Sequence, residues 1–175
     1  TLPVQLFGKL DGANVLDVCA APGGKTAQLL CGGANVTAID ISKVRIRRLK
    51  ENLDRLGLKA ELIHADIKKW TTSRLFDFIF LDAPCSATGT IRRNPDVLIH
   101  KTYEDVQKLS IVQMEILQKV SELVRPGGQL VYCTCSLQYE EGEAQVDRFL
   151  SKNTEFSRDP ICLHEIGIFS DAINV

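Results

Sequence analysis

The sequence predicts an α/β fold, a mostly parallel, doubly wound central sheet with helices on both faces. Three observations carry this. Short apolar runs alternate with helical apolar stripes, the pattern of successive βαβ units. Several runs end in a turn or an acidic residue, which gathers polar groups on one rim of a parallel sheet. The chain has 175 residues, 45% of them hydrophobic, enough for one packed domain and too few for two generous ones.

Strands are expected at 14–19, 35–39, 61–64, 77–81 and 129–134. The first helix, 25–30, follows a glycine turn. A second, 42–56, is marked by Ile46, Leu49, Leu53 and Leu56 at helical spacing. The longest, 103–124, carries Leu109, Val112, Ile116, Val120 and Leu123 on one stripe, and Arg125-Pro126-Gly127-Gly128 should stop it. A last helix is expected at 141–150. Residues 1–175 thus read as a single domain. After the last helix, Ile161, Ile166, Ile168 and Phe169 are scattered without a closing strand pair, and residues 1–10 form no domain of their own. An excised core that lacks its last strand or strands is the expectation.

No apolar stretch approaches 18 residues, and no basic segment leads into an apolar one at the start. A cytoplasmic monomer with reduced thiols and no membrane contact is therefore expected; its six cysteines lie scattered through strand-like runs. Cys133 and Cys135 are far in sequence from His64, His100 and His164, so no metal is expected. Cys31, Cys133 and Cys162 read as small buried hydrophobes, with Cys19 packing beside the glycine turn.

The net charge of −1 exerts no general pull toward nucleic acid. Lys43, Arg45, Arg47, Arg48 and Lys50 cluster on one helix, where a solvated face is the plainer reading. Arg92 and Arg93 differ, because they occupy a loop punctuated by glycine and proline. That loop follows Cys85, which makes them candidate phosphate contacts.

Cys85 and Cys135, 50 residues apart, each follow an apolar run. On parallel strands both thiols would emerge at carboxyl ends and face one pocket. After the first run, Ala20-Ala21-Pro22-Gly23-Gly24-Lys25-Thr26 forms a turn into a helix, where backbone can approach a nucleotide closely. A phosphate loop of the Gly-x-x-x-x-Gly-Lys-Ser/Thr type would need glycine where Cys19 stands, and no Gly-x-Gly-x-x-Gly is present. A nucleoside cofactor without pyrophosphate remains, with S-adenosylmethionine the obvious candidate. Asp40, ending the second strand, is placed for ribose hydroxyls. The plainer alternative is that Gly23 and Gly24 only turn the chain and Asp40 only caps the next helix.

Three stretches carry a resemblance: Asp17 to Thr26; Asp82-Ala83-Pro84-Cys85-Ser86-Ala87-Thr88-Gly89; and Thr134-Cys135-Ser136. In this order they resemble the RNA cytosine-5 methyltransferases. Thr90 to Asp96 and Ser136 to Glu141 are most similar to the bacterial Sun/Fmu branch, which methylates small-subunit ribosomal RNA. The likeness runs from about Gly12 to Leu150. It implies a Rossmann-like S-adenosylmethionine-dependent methyltransferase fold. Cys19, Ala20, Ala21, Pro22, Gly23, Gly24 and Lys25, with Asp40, Arg45, Asp66 and Asp82, would surround the cofactor, Asp66 near the adenine. Cys135 would be the nucleophile, Cys85 would assist product release, and Asp82 could hold the base.

Because a nucleophilic thiol must ionise, Lys25 and Arg92 are candidates to lower the Cys135 pKa. In DNA cytosine methyltransferases the nucleophile follows a proline, the position Cys85 occupies, which makes Cys85 the runner-up. The resemblance also implies an RNA-binding region and, in the Sun branch, an all-helical domain before the core and a glycine-aromatic strand after it, none of which is expected within residues 1–175. Two other readings stay open: a noncatalytic RNA-binding or assembly module, and a methyltransferase for a small molecule or protein.

Overall fold

The computed structural model describes residues 2–161, so Cys162, His164, Ile166, Ile168 and Phe169 lie outside the described residues. Five parallel strands form, β1 (Asn14–Val18), β2 (Asn35–Asp40), β3 (Glu61–His64), β4 (Phe76–Asp82) and β5 (Val124–Cys133). Helices α1 (Leu2–Gln5), α2 (Gly24–Cys31), α3 (Lys43–Arg55), α4 (Val97–His100), α5 (Tyr103–Ser121) and α6 (Glu143–Leu150) accompany them. The sheet order is β3-β2-β1-β4-β5. From β1 the chain winds outward through β2 and β3, then returns to lay β4 and β5 on the other side. The order therefore reverses between β1 and β4, where open α/β sheets form a crevice at their carboxyl ends.

Alternate strand residues face opposite sides. Leu16, Val18, Ile79 and Leu81 pack with Leu117 and Val120 of α5 and Phe149 of α6. Val15, Val36 and Phe80 pack instead with Leu29 of α2 and with Leu49 and Leu53 of α3. Each such fully buried side chain contributes about 1.5–3 kcal/mol. Both faces of the sheet are thus covered, as the alternation of elements requires.

Two details differ from expectation. Helix α5 ends at Ser121, and β5 already begins at Val124. Phe76 pairs with Val124 and Phe78 with Gln129, so Arg125-Pro126-Gly127-Gly128 bulges out of the strand instead of preceding it. Gly127 has φ 76°, and a Cβ on Gly128 would sit 2.7 Å from the Asp77 carbonyl oxygen. The buried face of α5 includes Ile116 and Val120 of the expected stripe and also Val106, Gln113 and Leu117, while Leu109 and Val112 are only half-buried, which puts an uncharged polar residue in the middle of the packed face.

Candidate active site

Three loops meet at the carboxyl rim of the sheet, following β1, β4 and β5. In the first, Cys19 adopts φ 59° and Gly23 φ 99°. A Cβ on Gly23 would lie 2.9 Å from Leu49 Cγ, so both backbone conformation and space select glycine there. Gly24 opens α2, and a Cβ on it would meet nothing within 4 Å. Gly24 is exposed, and among the described residues no side chain caps the amide end of that helix.

Asp40 lies almost fully buried, 2% exposed, at the end of β2. It accepts hydrogen bonds from Ala21 N–H at 3.2 Å and Ser42 N–H at 2.9 Å. Arg45 stands 3.6 Å from the same carboxylate and also donates to the Ala21 carbonyl, while Asn52 donates to the Pro22 carbonyl at 2.9 Å. The turn is therefore fastened to β2 and α3, and Ser42 rather than Asp40 caps α3. Each Asp40 oxygen keeps a further lone pair. Asp66, after β3, is half-buried and accepts from Lys68 N–H at 3.0 Å.

On the other side, Cys85 after β4 and Cys135 after β5 bring their Sγ atoms to 3.2 Å. Cys85 is half-buried and Cys135 exposed. The loops are joined along their length. Gly89 N–H donates to the Cys135 carbonyl at 2.9 Å, the Ser86 and Ser136 hydroxyls meet at 3.0 Å, and Leu137 N–H donates to Thr88 Oγ1 at 2.9 Å. Ala87 takes φ 60°. Cys19 and Ala87 are the two left-handed non-glycine residues among the described ones, a conformation that costs about 1–3 kcal/mol and concentrates at functional sites.

Between the two sides, Lys25 of α2 forms an ion pair with Asp82 at the end of β4. The Cys133 thiol donates to the other Asp82 oxygen at 3.5 Å. Burial works to lower the Lys25 pKa, but the hydrogen bond and charge of Asp82 outweigh it and raise the value. Partial desolvation first, and then the Cys85 hydrogen bond, push the Cys135 thiol up to about 11. The Lys25 charge is paired with Asp82. Arg92 and Arg93 lie exposed after a 3-10 turn at Thr88–Thr90, without a carboxylate partner among the described residues.

The remaining cysteines divide. Cys31 is exposed, contrary to expectation, because it ends α2 on the side away from the core. Cys133 is half-buried, and burial raises its pKa. Burial also pushes Cys19 up to about 12, with Asp40 adding to the effect.

Sequence reading assigned no role to four polar residues of this rim: Asp17, Thr26, Gln113 and Glu141. Asp17 is fully buried and accepts from the Thr26 hydroxyl at 2.6 Å, while its second oxygen finds no partner among the described residues. Burial pushes its pKa up to about 7 against the opposing Thr26 hydrogen bond. A charged residue inside an otherwise apolar strand was the available signal. For Gln113 the signal was only an amide on an apolar helix stripe. A separate groove of about 1090 Å³ runs along β5 and α6, and neither Cys85 nor Cys135 lines it.

At the strand reversal, the Lys25–Asp82 pair joins the α2 side of the rim to the loops that carry the facing thiols. A family model described as 16S rRNA methyltransferase RsmB/F matches residues 4–171. The chain belongs to this family. Among curated relatives, ribosomal RNA small subunit methyltransferase B of Salmonella arizonae is 44% identical over 157 residues, covering 87% of this chain and 37% of that protein. The Xylella fastidiosa protein of the same name is 45% identical over 148 residues, covering 82% and 35%. This RsmB/F chain thus spans little more than a third of the curated relatives it matches. Among solved structures, NSun6 from Pyrococcus horikoshii with SFG superposes with a TM-score of 0.79 at 34% identity, covering 87% of this chain and 40% of that one. A second, PH0851, reaches 0.89 at 33% identity, covering 93% and 38%. The RsmB/F match takes in all three rim loops.

Proposed function

We propose that this chain is the catalytic core of an enzyme that methylates carbon 5 of cytosine in small-subunit ribosomal RNA through a covalent cysteine adduct. The observation that carries the reading is the 3.2 Å approach of Cys85 and Cys135 beside the Lys25–Asp82 pair. The uncapped α2 amide end, the open space at Gly24 and the spare lone pairs of Asp40 suit S-adenosylmethionine. When bound, that cofactor supplies an electrophilic methyl group on its sulfonium.

Carbon 5 of cytosine is a weak nucleophile, which is the difficulty the residues address. Cys135, as thiolate, adds to carbon 6 and drives electron density toward carbon 5, dividing one hard step into easier ones. Asp82, held by Lys25, accepts a hydrogen bond from the exocyclic amine of the base, and the Lys25 ammonium beside it steadies the negative charge that develops on attack. After carbon 5 is methylated its proton must leave, so that the carbon 6–sulfur bond can break and return the electron pair to Cys135. Cys85 stands next to that sulfur and, as thiolate, takes the carbon 5 proton. The cytosine must come from a single strand or leave its stack, and Arg92 and Arg93 supply phosphate contacts nearby.

Two variants test the assignment. Cys135→Ala is expected to abolish methyl transfer, and Cys85→Ala to accumulate a covalent protein–RNA adduct that survives denaturing electrophoresis. Adduct accumulation by Cys135→Ala instead would exchange the two roles. An absence of adduct with 5-fluorocytosine-substituted ribosomal RNA in the unaltered protein would overturn the mechanism. For the cofactor, calorimetric titration with S-adenosylhomocysteine should release heat from a folded sample.

A further inference from the structure

We infer that Glu141 is the positioning residue that sets the Cys85 and Cys135 thiols against each other. This rests on the reading above for its catalytic consequence, though its geometry stands alone. Glu141 belongs to a 3-10 turn, Tyr139–Glu141, six residues beyond Cys135, and its carboxylate is fully buried. It has no cationic partner among the described residues. Three donors hold it: Ser86 N–H at 2.9 Å, the Ser86 hydroxyl, and Gln113 Nε2 at 2.9 Å.

Burying a carboxylate is costly unless donors satisfy it, and these donors come from the residue next to Cys85 and from the core face of α5. The same Gln113 amide donates to the Pro84 carbonyl at 2.8 Å, on the other flank of Cys85. Tyr132 of β5 donates its hydroxyl to the Glu141 carbonyl at 2.7 Å. One residue thus grips both neighbours of the first thiol, directly at Ser86 and through Gln113 at Pro84. The segment that leads into it carries the second thiol. From Ser86 the contacts continue to Ser136, which follows Cys135, and on to Thr88 at 3.1 Å. Glu141 touches neither sulfur. Its effect reaches them through Ser86 and Ser136.

A trivalent arsenical reads this geometry without any RNA, because phenylarsine oxide condenses with two adjacent thiols, releasing water and forming two arsenic–sulfur bonds. Binding that is lost in Cys85→Ala defines the Cys85–Cys135 signal and separates it from Cys133. Glu141→Ala is expected to weaken this binding by roughly tenfold or more and to lower kcat by about 10–100-fold, the range for residues that orient reacting groups, with KM for RNA within about twofold. Glu141→Gln can accept from Ser86 N–H and Gln113 and place its amide on the Ser86 hydroxyl, so it should restore both within about threefold.

Ser86→Ala, a milder change that folds more readily, should reproduce the loss in part. S-adenosylhomocysteine binding should stay unchanged in all three variants. Glu141→Ala with undiminished arsenical binding, or with cofactor binding lost in equal measure, would overturn the assignment. Arsenical binding that depends on Glu141 in a protein that forms no cytosine adduct would sustain it while removing the proposed function.

Discussion

The two halves of the rim are built by different means. On the β1–β2 side, the turn is held by partners on adjoining elements: Asp40 grips Ala21, 19 residues away, and Asn52 reaches Pro22 across 30. On the β4–β5 side, Ser86 meets Ser136 across 50 residues and Glu141 across 55. The first half fastens one backbone turn to its neighbours. The second aligns two independent loops whose side chains must meet, so a small displacement of either separates the sulfurs. Errors should therefore be tolerated on one side and amplified on the other.

Two glycines expose this asymmetry most sharply. A Cβ on Gly89 would sit 2.7 Å from the Cys135 carbonyl oxygen, a backbone atom that cannot step aside without moving the thiol. Gly89→Ala is expected to cut the methyl-transfer rate about 100-fold, since misplacing reacting groups by about an ångström costs that much. Cofactor binding should remain. Gly23→Ala meets a side-chain atom, Leu49 Cγ, together with a φ of 99°. It should cost about 1–3 kcal/mol in stability and weaken S-adenosylhomocysteine binding, yet leave arsenical pairing of the thiols intact. Equal loss of both binding reactions in both variants would erase the distinction between the two halves.

A second contrast concerns burial. The β1 side conceals Asp17, whose carboxyl is raised from 3.8 to about 7. The folded state thus holds its proton more tightly than the unfolded one. This contribution to stability is full below about pH 4, falls as pH rises toward 7, and is constant above. By linkage the loss reaches up to about 4 kcal/mol. Chemical denaturation at pH 4 to 8 should show Asp17→Asn gaining on the unaltered protein across that interval. Curves that run parallel would mean that Asp17 is charged throughout.

The same contrast explains what could be read from the chain. All five strands were visible as apolar runs, because a parallel sheet covered on both faces leaves its strands little room for polar residues. The turn from Cys19 to Lys25 was visible because glycine and proline punctuate local backbone. The two thiols were visible as residues at strand ends. Their mutual support was not. Gln113 and Glu141 sit in helical segments 28 residues apart, and nothing in periodicity says that an amide on an apolar stripe turns toward a carboxylate in another turn. The bulge at Arg125-Pro126-Gly127-Gly128 was misread for a related reason. Helix breakers mark a break in local structure, while pairing with Phe76 and Phe78 decides that it falls inside a strand.

The smallest expected effects separate the basic residues of the two halves. On α3, Arg47 stands 3.9 Å from Glu51 and Lys50 2.6 Å from Asp54, exposed pairs that already compensate their charge. Such pairs contribute only about 0.3–0.5 kcal/mol to the helix and should offer little to a phosphate. Arg92 and Arg93 follow Cys85 in the exposed loop and have no such partner among the described residues. Replacing either with alanine should weaken ribosomal RNA binding by a few-fold and reduce the slope of log affinity against log salt by about one, the signature of one lost phosphate contact. Arg47→Ala and Lys50→Ala should leave that slope unchanged. A loss of slope on α3 equal to that at Arg92 would extend the RNA path across the β1–β2 side, and the division of labour between the two halves would fail at the surface.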